Sequence, residues 1–197
     1  YAVLEATGVV ATPDHLTDLE AACLPCAGVT AWAALCNDGG LAADATVLVL
    51  GTGGVSLFAL QIAVAKGARC IVVYGRPDQQ ERAKRLGAAH GIHRAETPDW
   101  GKAVRKLTDG VGVDVVVEVG GAGTMAQSLQ AVRPGGRIAV IGVLSGAVDT
   151  LNLLPILMHK IRLQGVMVGS GKDHQALADA VGQWGIRPVV DQTYTFS

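Results

Sequence analysis

The sequence predicts a doubly wound, parallel six-stranded α/β sheet with helices on both faces. Three observations carry this. Short β-branched runs recur about every twenty residues, a spacing that fits strand–helix–strand units and is too long for hairpins. The chain has 26 glycines and only 4% aromatic residues, as buried parallel strands joined by tight turns require. The first strand also runs directly into a glycine-rich turn, "LGTGGVS", that opens an uncharged helical stretch.

The strands are read at 46–51, 69–74, 90–94, 113–120, 136–142 and 161–169, and the helices between and after them at 55–66, 78–86, 99–107, 124–132, 153–160 and 173–184. Right-handed crossovers make the sheet parallel and cover both faces. Two halves of three strands form the Rossmann arrangement, with expected order 3-2-1-4-5-6 and a ligand at the carboxyl ends where that order reverses. Ahead of this unit, Thr17 and Glu20 have capping-box spacing, so a helix starts there. Pro25 is expected to interrupt it, with a second helix over 27–36. The opening "YAVLEATGVV" and the closing "PVVDQTYTFS" read as extended segments outside the six-strand unit.

Composition narrows the function. With 16 basic and 17 acidic residues dispersed along the chain and a net charge of −1, there is no footprint for nucleic acid or for an anionic membrane. Residues 45–65 carry no charge, but three glycines within them favour strand, turn and helix over a membrane span. Four cysteines in apolar surroundings fit a reducing cytoplasm, not a disulfide scaffold. His15, His90, His93, His159 and His174 are too scattered to build a relay, and none is assigned a catalytic role.

The turn itself places Gly51, Gly53 and Gly54 between a strand and a helix that begins at Val55. Glycine lets the backbone approach a pyrophosphate, and the helix N-terminus favours its charge. Ser56 stands where a third glycine is usual, able to pack closely or to offer its hydroxyl. At the tip of the second strand, an acidic residue would bind the ribose hydroxyls of NAD. The sequence there is Tyr74, Gly75, Arg76, Pro77, Asp78. A guanidinium with no carboxylate at the strand tip suits a 2′-phosphate and predicts NADP(H). The alternative is a solvated Arg76, with Asp78 capping the next helix. A methyltransferase reading is disfavoured, because Leu50 and Tyr74 stand where that class commonly has acidic residues.

The segments "LPCAGVTAWAAL", "VLVLGTGGVSLFALQIAVAKGA", "RAKRLGA", "EVGGAGT", "VRPGGRIAVIGVLSG" and "IRLQGVMVGS" resemble, in order and over nearly the whole chain, the cofactor domain of medium-chain dehydrogenase/reductases, the zinc-type alcohol dehydrogenase superfamily. The wording is closer to the quinone-oxidoreductase-like branch. The resemblance implies residues 1–16 as the tail of a catalytic domain, 17–186 as the cofactor domain and 187–197 as the start of a return to the catalytic domain. It places Thr30, Ile141, Gly142, Val143, Met167 and Val168 around the nicotinamide. Cys26 stands where zinc enzymes of the family have a metal ligand, and is read here as a small buried residue beside the nicotinamide pocket, with no metal bound by this chain alone. Cys23 has no such counterpart. The resemblance further implies hydride transfer to a small-molecule carbonyl, quinone or enone, little activity from this part alone, and a homodimer formed through the edge of the sixth strand. Completion as a zinc alcohol dehydrogenase, or a nucleotide-binding module without turnover, stays open.

Overall fold

The computed structural model describes residues 3–37 and 40–195, so Tyr1, Ala2, Phe196 and Ser197 of the two terminal segments lie outside it. Six strands, β1 (Thr46–Leu50), β2 (Arg69–Tyr74), β3 (His90–His93), β4 (Val113–Glu118), β5 (Val132–Val140) and β6 (Arg162–Gly165), form one sheet in the order β3-β2-β1-β4-β5-β6. Every pairing is parallel, as the sequence spacing predicts.

Alternation along each strand divides the core in two. Val47, Val49, Cys70, Val72, Val115 and Val117 face one layer, together with α2 (Val29–Cys36), α3 (Gly54–Ala65) and α8 (Gly171–Trp184). Leu48, Leu50, Ile71, Val73 and Val116 face the other, with α5 (Trp100–Leu107) and α6 (Ala122–Ala131). Because both faces are covered, the strands read as continuous apolar runs. The uncharged stretch 45–65 therefore resolves into strand β1, the glycine turn and the twelve-residue helix α3.

Several details differ from the sequence reading. Pro25 does not break the first helix: α1 (Asp18–Ala21) passes into a π turn, Leu24–Gly28, and then into α2. The wider turn takes the ring at its start, where no donor is needed, and Gly28 N–H reaches back to the Cys23 carbonyl. The capping box of Thr17 and Glu20 is present. Strand β5 begins at Val132, and its pairing with β4 shifts register between Val113 and Val115 to absorb Pro134 and two glycines. Strand β6 is shorter than 161–169, its last ladder bond running from Val166 N–H to Val140 O. Met167 and Val168 lie beyond it, and Val168 turns the chain at φ 54°. Among the described residues the terminal segments are not strands: Ala6–Gly8 is a 3₁₀ turn, and residues 187–195 are irregular.

The sheet is pinned at the bottom and at the top of β4. At the amino end, Asp114 accepts from Thr46 N–H and from Arg133 Nε, tying β4 to both neighbours. At the carboxyl end, the fully buried Glu118 accepts from Gly120 N–H at 2.8 Å, Gly121 N–H at 3.1 Å, the Thr124 hydroxyl at 2.6 Å and the Ser128 hydroxyl. Its charge is met by hydrogen bonds, with no ion pair to it among the described residues. Removing a buried acceptor leaves its donors unsatisfied. Glu118→Ala should lower unfolding stability by about 3 kcal/mol or more, and Glu118→Gln, which turns one donor toward donors, by about 2 kcal/mol. Urea denaturation measures both, and a Gln variant as stable as the parent would reject this anchoring role.

Candidate functional site

A cleft of about 580 Å³ opens at the carboxyl ends of β1, β2 and β4. This is where connections from the sheet centre leave in opposite directions, the usual ligand position in a doubly wound fold. Its floor is apolar, with Leu50, Val73 and the buried Trp100.

The near wall is the glycine turn. Gly51, at φ 74°, donates its N–H to Val73 O and takes a backbone conformation that a side chain would strain. At Gly53 an added Cβ would meet nothing within 4 Å, so the space beside the turn is open for a ligand to approach the backbone. Gly53 is also the cap of α3 and has no side chain to cover the first N–H groups of that helix. Such uncovered N–H groups with an aligned dipole suit an anion. The Ser56 hydroxyl does not face the cleft: it is buried and donates to Leu50 O at 2.7 Å, locking helix to strand.

The far wall is built from two loops stitched together. Ser145 receives Gly123 N–H and donates its hydroxyl to Gly120 O at 2.8 Å, while Ala122 N–H bonds to Gly146 O. Gly121, at φ 90°, sits so close that an added Cβ would lie 2.6 Å from Gly146 O. Thr124 and Leu144 complete this side.

The end wall is the tip of β2. The Gln79 side-chain carbonyl, from α4 (Asp78–Arg85), accepts from the N–H groups of Gly75 and Arg76, both at 3.1 Å. Asp78 is not the helix cap that its position suggests. Pro77 holds that place, and the Asp78 carboxylate takes a forked pair from Arg76 at 3.2 Å, both groups well exposed. Beside the tip, His93 stacks on the buried Tyr74, with ring centroids 5.5 Å apart and planes 13° apart. Arg94, one residue further, also lines the cleft.

Of the residues expected from sequence, Gly51, Gly53, Tyr74, Gly75 and Arg76 thus share one cleft. Gly54 and Val55 begin α3, and Gly54 lines a smaller pocket of about 240 Å³ on its other side. Thr30 is buried, its hydroxyl donating to Cys26 O at 2.7 Å. Ile141 and Val168 pack on the core, whereas Val143 (59% exposed) and Met167 (95% exposed) point to solvent. Thr30, Ile141, Gly142, Val143, Met167 and Val168 are not gathered in the main cleft. Sequence reasoning missed Gln79, Arg94, Trp100, Thr124 and Ser145. Arg94 had a usable signal, because strand order 3-2-1 puts the end of the third strand beside the end of the second.

The four cysteines are free thiols, and Cys26, expected from the sequence to be buried, is exposed on the π turn that carries it. Burial pushes the Cys36 thiol up to about 11 and that of Cys70 up to about 12, so neither is a nucleophile near neutral pH. Cys23 and Cys26 meet at the smaller pocket, whose other lining residues are Ala22, Ala27, Gly54, Leu57, Phe58, Gln61 and Val189. No further thiolate, imidazole or carboxylate joins them. Among the described residues no group of three or more His, Cys, Asp or Glu is placed to hold a metal ion.

A family model described as "Zinc-binding dehydrogenase" matches residues 54–183. A zinc-type alcohol dehydrogenase-like protein of Schizosaccharomyces pombe is 40% identical over all of this chain and 58% of its own length. A crystal structure from Sinorhizobium meliloti 1021, assigned to an alcohol dehydrogenase without proof of activity, is 46% identical. It superposes with TM-score 0.87 over 93% of this chain and 53% of that one. An NAD-dependent alcohol dehydrogenase is 34% identical, with TM-score 0.88 over 94% and 54%. The chain thus spans a little over half the length of the relatives it matches.

The protonation of His93 bears on the end wall. Its Nε2 lies 3.1 Å from Gly75 O and its Nδ1 lies 3.0 Å from Glu96 Oε1. The Glu96 carboxylate beside Nδ1 raises the His93 pKa above the ordinary histidine value, against the opposing effect of burial. A raised folded-state value means that this stabilisation is complete below the unfolded pKa and is lost as pH rises through the folded one. An NMR titration should find the His93 ring charging above its free-peptide value, and Glu96→Gln should bring it down. An unshifted His93 in the parent protein would reject the contact with Glu96.

Proposed function

The chain belongs to the zinc-binding dehydrogenase family, whose cofactor-binding part it forms, and from that membership we propose that it is the NADP(H)-holding domain of an oxidoreductase. In this reading, hydride passes between the nicotinamide and a carbonyl, quinone or enone seated against a second domain. The observation that carries the cofactor preference is the tip of β2. Tyr74 occupies the place where a carboxylate would bind ribose hydroxyls, and Arg76 and Arg94 line the same end of the cleft.

Bound there, the cofactor supplies the hydride chemistry. The chain's own residues orient and shield it. Gly51 and Gly53 let the backbone approach the pyrophosphate, and the start of α3 offers N–H groups to its charge. Leu50, Val73 and Trp100 give the cleft an apolar floor. Beyond it, Thr30, Ile141, Gly142, Val143, Met167 and Val168 would face the nicotinamide end, where apolar groups keep water from the hydride path. The described residues alone do not form a zinc site around Cys26.

A homodimer completes the proposal. Strand β6 is a sheet edge, and Leu157, Met158 and Leu163 expose apolar surface near it. An unpaired edge with apolar neighbours tends to find a partner.

Calorimetric titration of the purified chain with NADPH and NADH tests the cofactor reading. NADPH should bind at least about tenfold more tightly, the scale of one charge-assisted hydrogen bond. Equal affinities would withdraw the NADP preference and leave a nicotinamide-cofactor domain, and binding of neither would withdraw the cofactor role. Sedimentation should give a dimer mass, and a monomer at micromolar concentration would remove that part of the proposal.

A further inference from the structure

We propose that Arg94, at the end of β3, is the residue that reads the 2′-phosphate of the cofactor, with Arg76 an auxiliary charge. The inference rests on the NADP(H) reading and assigns its selectivity to a side chain that sequence inspection of the β2 tip does not reach.

Both arginines line the same end of the cleft, but their surroundings differ. Arg76 already has an acceptor: its Nε and Nη2 meet the two oxygens of Asp78 at 3.2 Å each. A phosphate dianion arriving at Arg76 would have to displace that carboxylate and remain beside it. Arg94 makes no ion pair with any described residue and presents its guanidinium to the cleft uncompensated.

Placement also favours Arg94. Its backbone N–H donates to Tyr74 O at 3.0 Å, which fastens the end of β3 to the tip of β2. Its side chain lies over Gly75: a Cβ added there would sit 3.4 Å from Nε and 3.5 Å from Nη2. The guanidinium thus lies within contact distance of the β2 tip. The Tyr74–His93 stack and the hydrogen bond from His93 to Gly75 O hold the two strand ends together from below. Glu96 lies 3.0 Å from His93 Nδ1 and makes no ion pair with Arg94.

A guanidinium with free forked donors matches two phosphate oxygens at once, which a point charge does not. NADH lacks those oxygens, so the contribution of Arg94 falls on NADPH alone.

The test is calorimetry with NADPH and NADH on the parent chain and on Arg94→Ala, Arg94→Lys and Arg76→Ala. Arg94→Ala should weaken NADPH binding about tenfold to a hundredfold. NADH affinity should stay within about threefold in the same variant, which doubles as the check that it is folded. Arg94→Lys should recover only part of the loss, and it decides the matter if the alanine variant does not fold. Arg76→Ala should cost NADPH less than about fivefold. If the parent prefers NADPH and Arg94→Ala keeps that preference, Arg94 is excluded while the NADP(H) reading stands. If the parent shows no preference, both fall together.

Discussion

The geometry of the protein depends on one topological constraint: β1 is flanked by β2 on one side and β4 on the other. The chain leaves the carboxyl end of β1 through α3 on one face and the carboxyl end of β4 through α6 on the opposite face. Two right-handed crossovers diverging from adjacent strands cannot both cover the sheet end between them, so a crevice is left there. The crevice is wide enough to be useful only if the β4 loop stays out of it. Glu118 enforces this by gathering four donors of the following turn and helix onto one buried carboxylate. An apolar residue in its place would leave two backbone N–H groups of a glycine-rich loop without partners, and that loop is the far wall of the site.

Charge in the cleft is a local matter. The whole chain is nearly neutral, so no long-range field draws an anionic ligand in. What the site offers instead is fixed polarity at short range. The N-terminus of α3 lies on one wall, and a cluster of cationic side chains stands at the tip of β2 and the end of β3. The cluster is ordered by neutral and acidic partners outside it: Gln79 holds the β2 tip by its N–H groups, and Glu96 keeps His93 facing Gly75 O. An unconstrained group of exposed arginines would lose much of its value to side-chain entropy and screening. Here part of that ordering precedes any ligand.

Most of the fold could be read from the sequence because parallel buried strands announce themselves as β-branched runs at regular spacing. The six strands, their order and the strand–turn–helix around the glycines follow from those runs and from the handedness of the doubly wound pattern. What escaped was information that depends on register between strands or on the fate of one side chain. Arg94 sits beside the cleft only because Tyr74 pairs with His93, a match that no local window contains. Ser56 could as well have faced a ligand as Leu50 O, and only the structure decides. Asp78 has a cap's sequence position, but Pro77 takes the cap and leaves its carboxylate to Arg76. Pro25 reads as a helix breaker because an α-helix interior has no room for its ring, whereas the π turn takes it at its start.

The carboxyl end of the sheet is built to two different standards. At the β2 tip and the β4 loop the N–H groups of Gly75, Arg76, Gly120 and Gly121 have side-chain acceptors, and the first N–H groups of α3 are left open beside them. At the other end Val143, Leu144 and Met167 are exposed, and Val168 holds a left-handed conformation that a β-branched residue adopts only under constraint. Groups that are already in place hold a ligand without a further ordering cost, so the fixed polar wall at the β2 tip and the β4 loop is the part of this surface best prepared for one. The exposed apolar side chains of Val143 and Met167 offer surface that no described residue covers.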